Sequence, residues 1–307
     1  MVRRAEFEGE LGAMFTGLIA YVATPMNADG EVRSETLGRH LDRLAASGIA
    51  AVGLLGSTGS YMFLGAAERR RAVSAAAEAI GGRARLVVGA GALRTDEAAA
   101  AARDAARAGA DGLLLAAVSY TPLRALEVEA HVTDVAQATD LPLCLYDNPA
   151  ATRFAYTPEL AGRLSALPTV TGIKLIAEDR DRIGAQLASY RRALPEAFAI
   201  GFAGDANSPA GLAMGADAWH SILAGFAPDY AQALWSAARS GDEDVLARLH
   251  GRGAPLWDLL REWGGLRVAH AAMELETRED WPPQRPLQPM SPDAQDALSA
   301  ALERLRD

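Results

Sequence analysis

Residues Leu86–Val118 read LVVGAGALRTDEAAAAARDAARAGADGLLLAAV. The stretch opens on a short apolar run, Leu86 to Gly91. It passes through an alanine-rich amphipathic segment, Thr95 to Ala108, and closes on a second apolar run, Gly112 to Val118. Apolar runs of this length, bounded by glycine, suit strands buried on both faces. Thr95 and Asp96 fit a cap region ahead of a helix. Gly109, in Arg107-Ala-Gly109, sits where a helix should give way to the next strand. The stretch therefore reads as strand, helix and parallel strand.

The same pattern extends both ways. Further apolar runs span Gly17 to Ala23, Ala50 to Leu55, Leu141 to Tyr146, Val170 to Lys174, Phe198 to Phe202 and Ala216 to Ile222. Helical segments fill the gaps, among them Ser34 to Ser47, Ala66 to Ile80 and Leu126 to Thr139. Ala46-Ser-Gly48 repeats the helix-ending phrase. Eight strand–helix units are the count of a (β/α)8 barrel; an open doubly wound sheet usually has fewer. The expected organisation is an N-terminal arm over 1–14, a barrel over 15–225, and a helical extension over 226–307 packed on the barrel. Helices are expected over Tyr230 to Ser240, Asp242 to Arg261 and Leu266 to Leu275. A proline-rich passage follows from Trp281, and a last helix starts after Ser291-Pro292.

Composition narrows the function. Half of the 307 residues are apolar and the net charge is −9, with acidic and basic residues interspersed. That argues against nucleic acid as the main partner. No apolar run approaches a membrane span, and no apolar signal core follows Met1-Val2-Arg3-Arg4. The expectation is a soluble cytoplasmic protein. Cys144, the only cysteine, lies in an apolar run and reads as a buried strand residue. No His, Asp, Glu or Cys spacing reads as a metal site, and Gly89-Ala-Gly91 starts no full dinucleotide signature. His40, His131, His250 and His270 fall on helices as surface or packing residues.

Of the 30 basic residues, only Lys174 is a lysine. A guanidinium cannot condense with a carbonyl, whereas an amine can once its surroundings lower its pKa. In a (β/α)8 barrel the active site lies at the C-terminal strand ends. The runs here lead to Gly56-Ser57-Thr58-Gly59-Ser60, Ser119-Tyr120, Tyr146, Lys174, Gly204-Asp205 and His220-Ser221. One lysine, two tyrosines and a Ser-Thr pair thus fall on one rim. A desolvated Lys174 could attack the ketone of a 2-oxo acid. A tyrosine hydroxyl could carry protons, and the free N–H groups of the Gly56 to Ser60 turn suit a carboxylate.

These segments resemble the dihydrodipicolinate synthase / N-acetylneuraminate lyase family. GLIAYVATPM (Gly17 to Met26) resembles the family's opening strand, and GSTG (Gly56 to Gly59) its G-[ST]-T-G turn. Leu145-Tyr146 followed by Pro149 resembles L-Y-N-x-P, and Gly172-Ile173-Lys174 matches G-[IV]-K. The resemblance covers roughly residues 15 to 290. It implies that Lys174 forms a Schiff base, with no other cofactor. Tyr146 would move protons at the scissile position, Ser57 would relay them, and Thr58 would hold a pyruvate-like carboxylate. Tyr120 would be the second tyrosine of a P-Y-Y motif, which in the synthase branch crosses into the neighbouring subunit's site. Gly204, Asp205 and His220 fall among the substrate-lining positions. A homotetramer, as a dimer of dimers, is implied as well.

The chain departs from the family pattern in places. Ser60 stands in place of a glutamate, and Val118-Ser119 in place of Pro-Tyr before Tyr120. Ala151 occupies the position of a substrate-gripping arginine, with Arg153 two residues on. Asp147 replaces the asparagine after the tyrosine, and His220 replaces an aliphatic residue. The expectation is a class I lyase acting on a 2-oxo acid, with pyruvate as the common half, which is not a true dihydrodipicolinate synthase. A 2-keto-3-deoxy sugar acid dehydratase using the same lysine is one alternative. A barrel that binds a 2-oxo acid without turnover is the other.

Overall fold

A computed structural model describes residues 13–177 and 179–306. Most of the N-terminal arm read from the sequence lies outside the described residues. Eight parallel strands close into a barrel in sequence order: β1 (Gly17–Tyr21), β2 (Ala51–Leu54), β3 (Arg85–Gly89), β4 (Gly112–Ala116), β5 (Leu143–Tyr146), β6 (Val170–Ile176), β7 (Ala199–Ala203) and β8 (Ala218–Ser221). The strands alternate with helices α1 (Ser34–Ala46), α2 (Ala66–Ile80), α3 (Thr95–Arg107), α4 (Ala125–Ala136), α5 (Pro149–Thr152), α6 (Pro158–Leu164), α7 (Ile183–Ala193) and α8 (Ser208–Ala213). After β8 come α9 (Leu223–Phe226), α10 (Pro228–Ser240), α11 (Glu243–Arg252), α12 (Ala254–Trp263), α13 (Gly265–Thr277) and α14 (Pro292–Arg306). This is the (β/α)8 barrel with additional C-terminal helices that the sequence indicated. No helix among the described residues is long and apolar enough to cross a membrane.

By their contacts the described residues group into two units, one of 13–17 with those between 85 and 220, the other of 18–84 and 221–306. In the first, the α3 face built from Ala98, Ala99, Ala102 and Ala105 is buried. The i, i+4, i+7 spacing of Ala98, Ala102 and Ala105 makes one stripe, and methyl side chains let that helix lie close to its neighbours. Phe15 shows which strand face looks inward. A Cβ added at Gly112 on β4 would come within 3.2 Å of its ring, and one at Gly172 on β6 within 2.8 Å. One ring touching two non-adjacent strands must lie inside the barrel. Glycine at both positions makes room for it.

In the second unit, Tyr21 at the end of β1 plays a comparable part. A Cβ at Gly53 on β2 would sit 2.6 Å from the Tyr21 ring, and one at Gly56 2.9 Å away. Gly225 on α9 lies against the Tyr21 carbonyl, which a Cβ there would meet at 2.4 Å. The C-terminal helices of this unit pack on one another, α12 and α13 each against α14.

Some boundaries differ from the sequence reading. The single helix expected over Asp242 to Arg261 is two, broken at Gly253. A side chain there would strike Trp257, whose ring lies 2.4 Å from the Cβ position. Pro255 then starts α12 from its first turn, where its missing N–H costs nothing. Thr95 is not a cap but the first residue of α3, whose N-cap is Arg94; the Thr95 hydroxyl instead lies 2.9 Å from His131 Nδ1. His40, His131 and His270 are buried packing residues.

Candidate active site

Strand register sets the first group of side chains. Tyr146 on β5 pairs with Lys174 on β6, as Cys144 pairs with Gly172. Lys174 pairs in turn with Gly201 on β7, and Gly201 with Ala218 on β8. Register partners share a face, and so do residues two apart. Cys144, Tyr146, Lys174, Gly201 and His220 therefore line the same inward face as Gly172. Lys174 is not at the strand end expected from the sequence, because β6 runs on to Ile176. It is correspondingly deep, with only 4% of its surface exposed.

The Lys174 amine lies 4.2 Å from the centroid of the Tyr146 ring. Burial depresses its pKa, against the raising influence of Tyr146, Cys144 and Asp205. Desolvation wins because a buried ammonium has lost most of its hydration. Cys144 offers little opposition in practice. Burial pushes its thiol up to about 12, so it stays neutral at physiological pH. His220 is also buried, and its pKa is held well below the ordinary value by burial first and by the Lys174 charge second. Its ring rests on Gly201, where a Cβ would lie 2.5 Å from Nε2. Glycine on β7 is thus the reason that an imidazole fits beside the lysine.

The connections above these strands are braced. Asn148 Nδ2 donates to the Tyr146 hydroxyl at 3.0 Å. The Asp147 N–H donates to the Lys174 carbonyl at 2.9 Å, while its carboxylate accepts from the Tyr156 N–H at 3.1 Å. The Tyr190 hydroxyl closes the brace by donating to the Tyr156 carbonyl at 2.6 Å. Burial and the Asp147 charge push the Tyr156 hydroxyl upward, so it remains a phenol. Beyond β7, Gly204 has φ +98° and packs on the Ala177 carbonyl. Asp205 is buried and accepts the Trp219 indole N–H at 3.0 Å.

Tyr120 stands apart from this cluster. It lies four residues beyond β4 and is 90% exposed. Arg153, itself exposed and at φ +58°, reaches the Tyr120 carbonyl at 3.5 Å through Nη1. In the second unit, the turn after β2 begins with Leu55 at φ +54° and ends with Ser60 at φ +57°. A Cβ at Gly59 would meet the Leu55 nitrogen at 2.8 Å, so the turn is tight. Thr24 clamps it by donating to the Gly59 carbonyl at 2.8 Å. Thr58 is buried and Ser57 half-buried. The Ser60 hydroxyl is buried without a hydrogen-bond partner among the described residues.

The family model of the dihydrodipicolinate synthetase family matches residues 14–305. The chain belongs to this family. Its members are lyases of the aldolase type, and so is this chain. A 4-hydroxy-tetrahydrodipicolinate synthase of Salinibacter ruber is 33% identical over 81% of this chain and 80% of its own. One from Synechococcus elongatus is 32% identical over 95% of this chain and 96% of its own. Among solved structures, a dihydrodipicolinate synthase from Agrobacterium tumefaciens superposes with a TM-score of 0.94 at 42% identity, covering 96% of this chain and 99% of that one.

Three residues that hold these groups by hydrogen bonds were not indicated by the sequence. Asn148 carries no motif signal of its own, since the departure from the family pattern is at Asp147 beside it. Trp219 directly precedes His220, yet nothing in the sequence says that its indole holds Asp205. Thr24 lies inside the opening-strand motif, where only its partner across the turn reveals its use. Among the described residues, no group of His, Cys, Asp or Glu could hold a metal ion.

Proposed function

We propose that this lyase works through a Schiff base on Lys174, with pyruvate as the common half of its substrates. The observation that carries the proposal is the state of Lys174. The sole lysine of the chain is buried against a tyrosine ring, with its pKa depressed by desolvation. Its free amine attacks C2 of the 2-oxo acid, and loss of water leaves a protonated imine. That imine withdraws electrons from C3. A C3 proton then leaves to give an enamine, which adds to an aldehyde; in the cleavage direction the C3–C4 bond breaks instead. Hydrolysis frees the lysine.

Each step needs a proton moved at a defined atom, and Tyr146, whose ring centroid lies 4.2 Å from the Lys174 amine, carries the hydroxyl assigned to it. From the family resemblance, Ser57 relays protons to it. Thr58 and the N–H groups of the Gly56 to Ser60 turn take the carboxylate. Gly204, Asp205 and His220 line the substrate, and Tyr120 completes a neighbouring subunit's site in a homotetramer. A neutral His220 adds no second positive charge to compete for that carboxylate. A prophage protein of this family from Escherichia coli K12, 26% identical with a TM-score of 0.87, has been solved in complex with pyruvate, which fits the pyruvate half of the proposal.

The second substrate is proposed to be other than aspartate semialdehyde. Ala151 cannot grip a further carboxylate as an arginine does. Arg153, the nearest substitute, is turned to the Tyr120 carbonyl. The test of the mechanism is borohydride trapping with pyruvate, read by intact mass and peptide mapping. One reduced adduct on Lys174 is expected, and none in Lys174→Arg. An unmodified protein across a panel of small 2-oxo acids would refute the Schiff base.

A further inference from the structure

Resting on the Schiff-base reading, we propose that Asn148 is a positioning residue: its amide fixes the direction in which Tyr146 presents its proton. The phenol oxygen carries one proton and can accept hydrogen bonds. Asn148 Nδ2 donates to that oxygen at 3.0 Å. With an acceptor site taken, the O–H settles on the side of the oxygen away from Asn148. The Lys174 amine is a near neighbour of the same ring, 4.2 Å from its centroid.

The amide is held firmly enough to do this. The Asn148 carbonyl accepts three bonds from the turn that follows: Ala151 N at 3.0 Å, Thr152 N at 2.9 Å and Thr152 Oγ1 at 3.0 Å. Thr152 is buried. Pro149 restricts the Asn148 backbone to extended conformations, and Asn148 is observed at φ −139° and ψ +76° as the N-cap of α5. An asparagine at an N-cap commonly bonds forward to its own helix. This one makes no such bond, and its side chain turns back to the strand end instead. Asp147 faces the other way, onto the Tyr156 N–H. The two residues after Tyr146 thus divide the work: one braces the loop, the other directs the hydroxyl.

The test uses the full chain and pyruvate alone, so it needs no knowledge of the second substrate. In D2O, exchange of the pyruvate methyl protons reports imine-to-enamine conversion by NMR. Asn148→Ala and Asn148→Asp should each slow exchange about tenfold, the worth of one positioned hydrogen bond. Borohydride trapping at saturating pyruvate should remain complete in both. The aspartate has the same shape and also caps helices but cannot donate when ionised, so it separates donor from scaffold. In a Tyr146→Phe background, where exchange is followed over hours, Asn148→Ala should add nothing.

Exchange within twofold of the parent in Asn148→Ala would overturn the inference. So would full exchange in Asn148→Asp, which would make Asn148 an acceptor of the tyrosine proton, or an equal further loss in the Tyr146→Phe background. A parent protein that traps no pyruvate would instead overturn the Schiff-base reading, and this inference with it.

Discussion

Replacing Lys174 by methionine should abolish trapping and yet stabilise the fold at neutral pH. The wild-type lysine is buried and its pKa is depressed by desolvation. In the unfolded chain it regains its ordinary value of about 10.4. Between the two values the folded lysine is neutral and the unfolded one charged, so unfolding takes up a proton. Wild-type stability therefore rises with pH through that window, and below it the full penalty remains. Linkage fixes the steepness: one proton gives at most about 1.4 kcal/mol per pH unit. Methionine is of similar volume and carries no charge to desolvate, so its stability lacks this dependence. The gain of Lys174→Met over wild type should shrink as pH rises through that window and come close to zero as pH reaches the ordinary lysine value. In thermal scans, each kcal/mol is worth about 2 °C for a chain of this size. Measurements from pH 7 upward keep His220 neutral in both proteins, since its pKa is well below 6.5. A difference in Tm that is flat across this range, or that favours wild type at pH 7, would refute the claim that the amine is stored at a cost to the fold.

Other outcomes can be checked alongside. Tyr146→Phe should still form the borohydride adduct while turnover falls by ~10²-fold or more; an unchanged rate would move the proton carrier elsewhere. Gly201→Ala should destabilise the fold by about 1–3 kcal/mol in urea titrations, because its Cβ would lie 2.5 Å from His220 Nε2. The double change Gly201→Ala/His220→Val should recover only part of that loss, because the Ala218 Cβ also lies 2.8 Å from the added methyl. Coupled assays with pyruvate and aspartate semialdehyde should show no robust condensation, and strong activity would mean that Arg153 swings inward. Light scattering at micromolar concentration should give a tetramer, and a fully active monomer would exclude the role of Tyr120 in a neighbour's site.

The barrel was legible because each of its strands is a short apolar run and each helix a distinct amphipathic stretch. Ala66 to Ile80 was read to the residue, since a glycine stands at each flank. The break at Gly253 was missed although Pro255 signals it, because Gly-Ala-Pro inside a long amphipathic pattern still keeps its periodicity. Lys174 announced itself by being the only lysine, and the GSTG turn by its motif. What stayed hidden was partnership. That Asn148 reaches back to Tyr146, or that Trp219 holds Asp205, depends on side-chain directions set by backbone angles at a cap and a strand end. Pro149 narrows the backbone of Asn148, but no residue pattern says which way its side chain then turns. His220 was visible as a departure from the family pattern, but the space that admits it is a property of Gly201, nineteen positions away in sequence and on the neighbouring strand.

The one lysine and the one cysteine of this chain are both buried on the inner face of the barrel. The outer surface therefore carries charge almost entirely as guanidinium and carboxylate, and presents no side-chain amine or thiol. The proposed aldehyde chemistry would place this protein among electrophiles, and ordinary protein surfaces are slowly decorated by them. Here carbonyl compounds meet a side-chain amine or thiol only after entering the barrel. The same economy means that amine-directed dyes and dialdehyde cross-linkers should be poor reagents for this protein, and that covalent labelling by a carbonyl compound doubles as a measure of access to its interior.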